Sequence, residues 1–358
     1  MRIRGQDEGN PMVHAALNQR LSCVAMSFAL LLGCGAQEDE NGRPATDPGG
    51  TDSQTQTTDD IIVDDDEETD SITPPVEGCQ GIDLLFVVDN SGSMGEEQEN
   101  LISNFPKFIE VLDNFEPEPG ANISYRVGLT TASVTRKFTS TTLIPGFPPA
   151  STKVNEKGQD GAFVNASECG LSQPWIEGPE ASASSEFSCM GNVGAMGSSY
   201  EMPLAAMELA LGKQTAQGGA NEGFYRKGED SLLVVVIITD EDDCSVEEGG
   251  TLIADSVTGS DCNPAKCKGL YAIDDSKMFL DELTGGEGRY VVTAIAGPGP
   301  KACSSTFGNA IYARRMNQFI QLVGAYGVFG NICSGDLWSS LKDALSVIKV
   351  ACKGLRPR

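Results

Sequence analysis

Two stretches of this chain are apolar without a break, and both end in aspartate. "LLFVV" at 84–88 runs into Asp89, and "SLLVVVIIT" at 231–239 runs into Asp240. A strand with one wet face alternates apolar and polar residues. A strand that is apolar throughout is covered on both faces, which is the condition of a parallel sheet between two helical layers. The rest of the chain fits that demand. Strand-like runs at 82–88, 123–131, 231–239, 290–296 and 328–332 are separated by helix-like ones at 96–115, 200–211, 270–283, 310–325 and 337–352. In 96–115, Leu101, Ile102, Phe105, Phe108, Ile109 and Leu112 recur at helical spacing, and Pro106 is expected to kink the helix. The alternation predicts an α/β domain with a doubly wound, mostly parallel sheet flanked by helices. In such sheets ligands bind beyond the carboxyl ends of the strands, where strand order reverses. Asp89 and Asp240 stand at two such ends.

The residues just past each strand are rich in hard oxygen. "DNSGSM" supplies Asp89, Ser91 and Ser93, and "DEDD" supplies Asp240. Between them "MGSSYE" at 196–201 delivers hydroxyls just ahead of a predicted helix. Carboxylate and hydroxyl oxygens converging on one point suit a hard divalent cation, Mg²⁺ first and Mn²⁺ or Ca²⁺ as alternatives, because serine hydroxyls are poor ligands for soft metals. Asp-x-Ser by itself is also an ordinary turn or helix N-cap. The buried strand before it, Ser93 after it and a second strand ending in Asp240 favour the cation. Asp242 and Asp243 are expected to be solvated, or to partner a second cation, and Met94 and Met202 to be core.

"DLLFVVDNSGSM" resembles the first strand and metal motif, D-x-S-x-S, of the von Willebrand factor type A (VWA) family, and "VVVIITDE" resembles that family's later buried strand and its aspartate. The resemblance spans most of 82–352 by element order. It implies a Rossmann-like sheet with a metal-ion-dependent adhesion site at its top. Carried over, Ser91 and Ser93 bind the ion directly, while Asp89 and Asp240 act mainly through water or as acceptors behind the ligands. The family's intervening threonine falls on Ser198, with Ser199 as the other choice. Asp240 is followed by Glu241 where the family often has glycine. The resemblance also implies a ligand carboxylate completing the cation's shell.

Composition narrows the function classes. The one histidine, His14, lies in a segment expected to be removed, so the mature chain has no Ser-His-Asp triad, histidine base or histidine-ligated zinc. Net charge is −26, of which residues 35–78 carry −13 and the chain from Cys79 onward −14. A surface of that sign does not suit nucleic acid.

The first 33 residues read as a lipoprotein signal peptide. Arg20 precedes an apolar run, 21–32, too short to span a bilayer, and "LLGC" places Cys34 where a bacterial lipobox carries its lipidated cysteine. Met12 is a candidate true start. Residues 34–78 read as an acidic, solvated tether. The domain then runs from 79 to 358, with insertions near 132–196 and 244–269. The expected location is the bacterial cell envelope, outer membrane by preference, with the lipid as the only membrane contact. Nine cysteines remain in the domain, which outside the cytoplasm implies up to four disulfides and one odd thiol. Expected pairs are Cys79–Cys352, Cys169–Cys189 and Cys303–Cys333. Cys262-x₄-Cys267 has the spacing of half a thiolate zinc site but lacks a second close pair or a histidine.

The leading functional expectation is a non-enzymatic, lipid-anchored module that grips a protein or glycan through a divalent cation. One alternative is a Mg²⁺-dependent phosphoryl hydrolase of the D-x-D-x-T type, against which Ser91 stands where a second carboxylate would act as acid and base. The other is a partner subunit of an ATPase complex, which the leader and the cysteines disfavour.

Overall fold

The computed structural model describes residues 78–117, 123–228, 230–254, 262 and 267–356. The leader, the lipobox Cys34 and the tether up to residue 77 lie outside the described residues, as does much of the second insertion.

Six strands form the main sheet: β1 (Gly81–Val88), β2 (Ser124–Thr131), β5 (Ile176–Gly178), β6 (Ser231–Ile238), β8 (Tyr290–Ala296) and β11 (Gly327–Asn331). Their order is β11-β8-β6-β1-β2-β5, and all pairs are parallel except β2 with β5. Counted from the β5 edge this is 3-2-1-4-5-6, the doubly wound order, with its switch point between β1 and β6. β1 and β6 pair from Gly81 with Ser231 to Val88 with Ile238, so both strands stop level and Asp89 and Asp240 emerge together.

Side-chain alternation splits the apolar strands between two cores. Leu84, Phe86 and Val88 join Leu101, Phe105 and Phe108 of α1 (Gly95–Asp113), Phe187 of α2 (Ala183–Met190) and Leu341, Leu345 and Ile348 of α6 (Leu337–Gly354). Leu85 and Val87 join Leu204 and Met207 of α3 (Pro203–Leu211), Leu280 of α4 (Ile273–Thr284) and Met316 and Phe319 of α5 (Arg314–Val323). Phe86 makes edge contacts with Phe105, Phe108 and Phe187, at centroid distances of 5.8, 5.8 and 4.8 Å. Truncating Phe86 to alanine would cost about 3–5 kcal/mol. Met94 and Met202 are core, as expected.

The segment 132–196, which shows no sustained period in sequence, holds regular structure. β3 (Arg136–Thr142) and β4 (Ala150–Glu156) form a hairpin, and β3 also pairs with β7 (Thr251–Ala254) of the second insertion to make a separate three-stranded sheet. β4 is mostly exposed, so its sequence, ASTKVNE, has no apolar face to reveal. The two insertions are therefore one structure. A small hairpin, β9 (Cys303–Ser305) with β10 (Gly308–Ala310), comes after β8.

Among the described residues four disulfides are present: Cys79–Cys352, Cys169–Cys189, Cys303–Cys333 and Cys244–Cys262. The fourth removes Cys262 as half of a thiolate zinc site, because its sulfur is bonded to Cys244. Cys79–Cys352 ties the entry to β1 to the end of α6, where Cys79 N–H also donates to the Cys352 carbonyl at 3.0 Å. Four disulfides fit a chain that folds in oxidising surroundings. No helix among the described residues is long and apolar enough to cross a membrane.

Candidate metal centre

β1 delivers Asp89 into a fully buried position at the switch point. Its backbone N–H continues the sheet by donating to the Ile238 carbonyl at 2.9 Å. The side chain then organises the loop. Asp89 Oδ1 accepts from Ser91 N–H at 2.8 Å, and Asp89 Oδ2 accepts from the Thr239 hydroxyl at 2.7 Å, which ties the two strand ends together. Ser91 Oγ and Ser93 Oγ lie 3.0 Å apart across the turn Gly92–Met94. Ser93 also lies against Asp240, whose charge its hydroxyl favours. Gln98 of α1 braces the loop by donating to the Asp89 carbonyl at 3.1 Å. Asp89, Ser91, Ser93 and Asp240 are thus brought together.

Ser198 is placed differently. Its N–H donates to Ser133 Oγ at 2.9 Å, and Ser133 in turn donates to Asn90 Oδ1 at 2.8 Å, so the 197–198 backbone is docked beside the Asp89 loop. The Ser198 hydroxyl closes a local turn, accepting from Tyr200 N–H at 2.9 Å and donating to the Tyr200 carbonyl at 3.2 Å. Ser199 is exposed.

Glu201 went unnoticed in the sequence and is fully buried here. Cys244 N–H donates to its carbonyl at 2.6 Å, and the next residue, Met202, donates to the Ala132 carbonyl at 3.0 Å, so its backbone is pinned between the ends of β2 and the loop after β6. Its carboxyl is near enough to Asp89 to feel that charge. The sequence pattern predicts a helix over 200–211, which conceals this residue. The helix begins at Pro203, proline being well suited to a first helical position, and Glu201 is left in the loop facing the site.

Electrostatics are set by burial without a basic partner. Burial, reinforced by the charges of Asp89 and Glu241, holds Glu201 well above the ordinary glutamate range. Burial also raises Asp89, opposed by the Ser91 N–H and the Thr239 hydroxyl. Asp240 is pushed up to about 8, first by burial and then by Asp89, with Ser93 working the other way. Both oxygens of Glu201 and Oδ1 of Asp240 are buried without a hydrogen-bond donor. A cluster of this kind needs protons or a cation. Among the described residues no group of three or more histidine, cysteine or acidic side chains could hold a metal ion. An ion here would need the serine hydroxyls as well, and the donor set of two hydroxyls and orphaned carboxylate oxygens fits a hard divalent cation.

Asp242 and Asp243 are neither solvated nor part of this cluster. Both are fully buried. Asp242 caps α5 by accepting from Arg315 N–H at 2.8 and 3.1 Å, while burial and the neighbouring Asp243 push it up to about 7. Asp243 accepts from Leu204 N–H at the start of α3 at 3.1 Å and pairs with the Arg315 guanidinium at 2.9 Å. These residues fasten two helix N-termini to the loop that carries Asp240.

No protein-family model and no curated protein matches this sequence. Solved structures do. The proximal thread matrix protein 1 of the mussel byssus, with a zinc-occupied MIDAS motif, matches at TM-score 0.35 and 15% identity, over 77% of this chain and 47% of that one. The pilus adhesin SpaC from Lactobacillus rhamnosus GG matches at 0.40 and 14%, over 77% and 31%. The manganese-loaded Plasmodium vivax TRAP protein matches at 0.33 and 14%, over 78% and 76%. This chain spans about half the length of the byssus protein. Scores and identities of this size transfer no residue roles, and the site rests on the geometry above.

Proposed function

We propose that this domain binds a protein or glycan partner through a divalent cation, Mg²⁺ by preference, held at the switch point by Asp89, Ser91, Ser93 and Asp240, and that it does so without catalysis. The observation that carries the reading is the level ending of β1 and β6, which sets two serine hydroxyls beside buried, donor-less carboxylate oxygens. The motif's likeness to the VWA adhesion site supports it. When bound, the cation would supply a positive centre on a surface that otherwise repels acidic groups. The domain is net −14 from Cys79 onward, so a partner carboxylate would be drawn in only at the ion.

We further propose that the chain is a cell-envelope lipoprotein anchored at Cys34, with residues 34–78 as its tether. The four disulfides support export. Cys34→Ala should move the protein from the membrane fraction to the soluble one, and a variant that stays with the membrane at unchanged mass would refute the anchor.

The central experiment is a pull-down from envelope extracts with the full chain. Capture should disappear with EDTA, return with Mg²⁺ or Mn²⁺, and be absent in Ser93→Ala and Asp240→Ala. Capture unchanged both by chelation and by Ser93→Ala would falsify the metal bridge. Hydrolysis of a simple phosphate ester that needs Mg²⁺ and Asp89 would instead favour the enzymatic alternative.

A further inference from the structure

The side sheet carries a feature that cation binding does not use. β3 and β4 are joined through the turn Ile144–Phe147, where Phe147 N–H donates to the Ile144 carbonyl at 3.0 Å. Pro145 and Gly146 fill its two central positions, and Gly146 has φ +86°, so this is a stiff turn of the kind that proline and glycine favour. Leu143 N–H fixes one shoulder by donating to the Ala254 carbonyl of β7 at 2.7 Å. The base is held by Phe138, which is buried and packs edge-on against Tyr200 at 5.1 Å. The hairpin is well tied, yet its tip turns apolar side chains to water. Leu143 is 41%, Ile144 37% and Phe147 72% exposed. The other exposed large apolar residues among the described ones, Met196, Met278, Phe307, Leu322 and Val350, stand singly along the chain. Single ones are ordinary on a surface, and three in five residues are not.

The surroundings of the tip point to what would cover it. Beyond its chain neighbours nothing lies within 4 Å of where a Cβ on Gly146 would stand, so the apex stands clear of the rest of the domain. Residues 138–152, "FTSTTLIPGFPPAST", contain no charged side chain, and their polar side chains are all hydroxyls. Burying this tip in an apolar medium would strip no ion of its water. Behind it the hairpin is basic. Residues 133–157 hold Arg136, Lys137, Lys153 and Lys157 against Glu156 alone, with the three lysines exposed, in a domain of net −14. A projecting apolar tip backed by basic residues matches a lipid surface, which offers acyl chains to the one and phosphates to the other. A protein interface would also call for polar side chains around its apolar centre, and none lies between Leu143 and Ala150. We propose that this turn is a membrane-contacting tip, with Leu143, Ile144 and Phe147 entering the acyl boundary of an anionic phospholipid surface and Lys153 meeting its headgroups. It would add a second contact to the lipid expected at Cys34, and it depends on neither that lipid nor the cation site.

The test uses the full chain with Cys34→Ala, in EDTA, and vesicles of phosphatidylglycerol mixed with brominated phosphatidylcholine. Phe147→Trp puts an indole at the tip, and bromine quenches it only where it reaches the acyl chains. Its emission should shift to the blue and be quenched by the vesicles. Wild type, whose Trp175 is buried and Trp338 half-buried, should change little. Met278→Trp, at an exposed position on α4, should also stay unquenched. In the Phe147→Trp background, Lys153→Glu should weaken partitioning by about tenfold at low salt. Emission from Phe147→Trp that vesicles leave unchanged overturns the proposal. Equal quenching in Met278→Trp overturns it too, since adsorption would then be general. A blue shift that grows with protein concentration and needs no vesicles would make the occupant a second copy of this chain and refute the lipid assignment. Partitioning untouched by Lys153→Glu would refute the headgroup contact. With EDTA present the cation site plays no part, so failure of the tip leaves the proposed function standing, and failure of the cation site leaves the tip.

Discussion

Asp83, near the start of β1, and Asp89, just past its end, are both fully buried, yet only one has a cation of the protein's own. Asp83 accepts from the Arg226 backbone at 2.9 Å and from its Nε at 2.8 Å, with Arg226 Nη2 at 2.7 Å. Burial still raises Asp83, and Arg226 pulls it back. Asp243 has Arg315 in the same way. Among the described residues no ion pair involves Asp89, Glu201 or Asp240, and Asp89 is held by the Ser91 N–H and the Thr239 hydroxyl. Where a buried carboxylate serves the architecture, this chain supplies an arginine. At the switch point it supplies none, which accords with the cation site proposed above.

The contrast can be broken at its strongest point first. Arg315→Ala leaves buried Asp243 without its counter-ion, and removing one partner of such a pair costs about 3–5 kcal/mol. Denaturant unfolding should show that loss equally with and without EDTA. A loss that depended on EDTA would place Asp243 in the cation's influence and erase the distinction.

The cation's own contribution comes next. Mg²⁺ or Mn²⁺ at a hundredfold above its dissociation constant should stabilise the wild type by about 2.7 kcal/mol. The shift in melting temperature should vanish in Asp89→Asn and persist in Arg226→Lys, which keeps a cation beside Asp83.

A gentler probe is pH. In the metal-free fold Asp240 titrates at about 8 against an ordinary 3.8, so the folded state holds a proton that the unfolded chain has released. Its stabilising effect is complete below the ordinary value and is lost as pH rises through 8. Asp89 and Glu201 are shifted in the same direction. Melting of the metal-free protein should therefore fall by a few degrees between about pH 5 and pH 8, and Asp240→Asn should flatten that slope. Added Mg²⁺ should oppose the fall, because the ion competes with those protons.

The smallest effect belongs to the surface. Lys277 and Asp281 form an i,i+4 pair on α4 at 2.8 Å, with both side chains partly in solvent. Lys277→Ala should cost about 0.3–0.5 kcal/mol and respond to salt, unlike the Arg315 variant.

How far these regions could be read beforehand differs for a physical reason. β1 and β6 were legible because double-sided burial leaves an unbroken apolar run, and their terminal aspartates with Ser91 and Ser93 stood out against it. Glu201 was not legible. "YEMP" before an apolar stretch reads as a first helical turn, and only the start of α3 at Pro203 returns the glutamate to the loop. Asp242 and Asp243 misled in the other direction. A run of acids reads as a wet surface, and nothing local announces that Arg315, some seventy residues later, will cover them.

The sequence alone determined the local physics: which segments must be covered on both sides, that they alternate with helices, and that two of them end in carboxylates near paired hydroxyls. The tertiary structure decided everything that depends on meeting across the chain. It set β1 beside β6 so that Asp89 and Asp240 end level. It joined β3 to β7 across two insertions that sequence spacing keeps apart. It gave arginines to Asp83 and Asp243 and withheld one from Glu201. A carboxylate's chemistry is set by what lies within a few ångströms of it, and distance through space is the quantity a linear sequence does not carry.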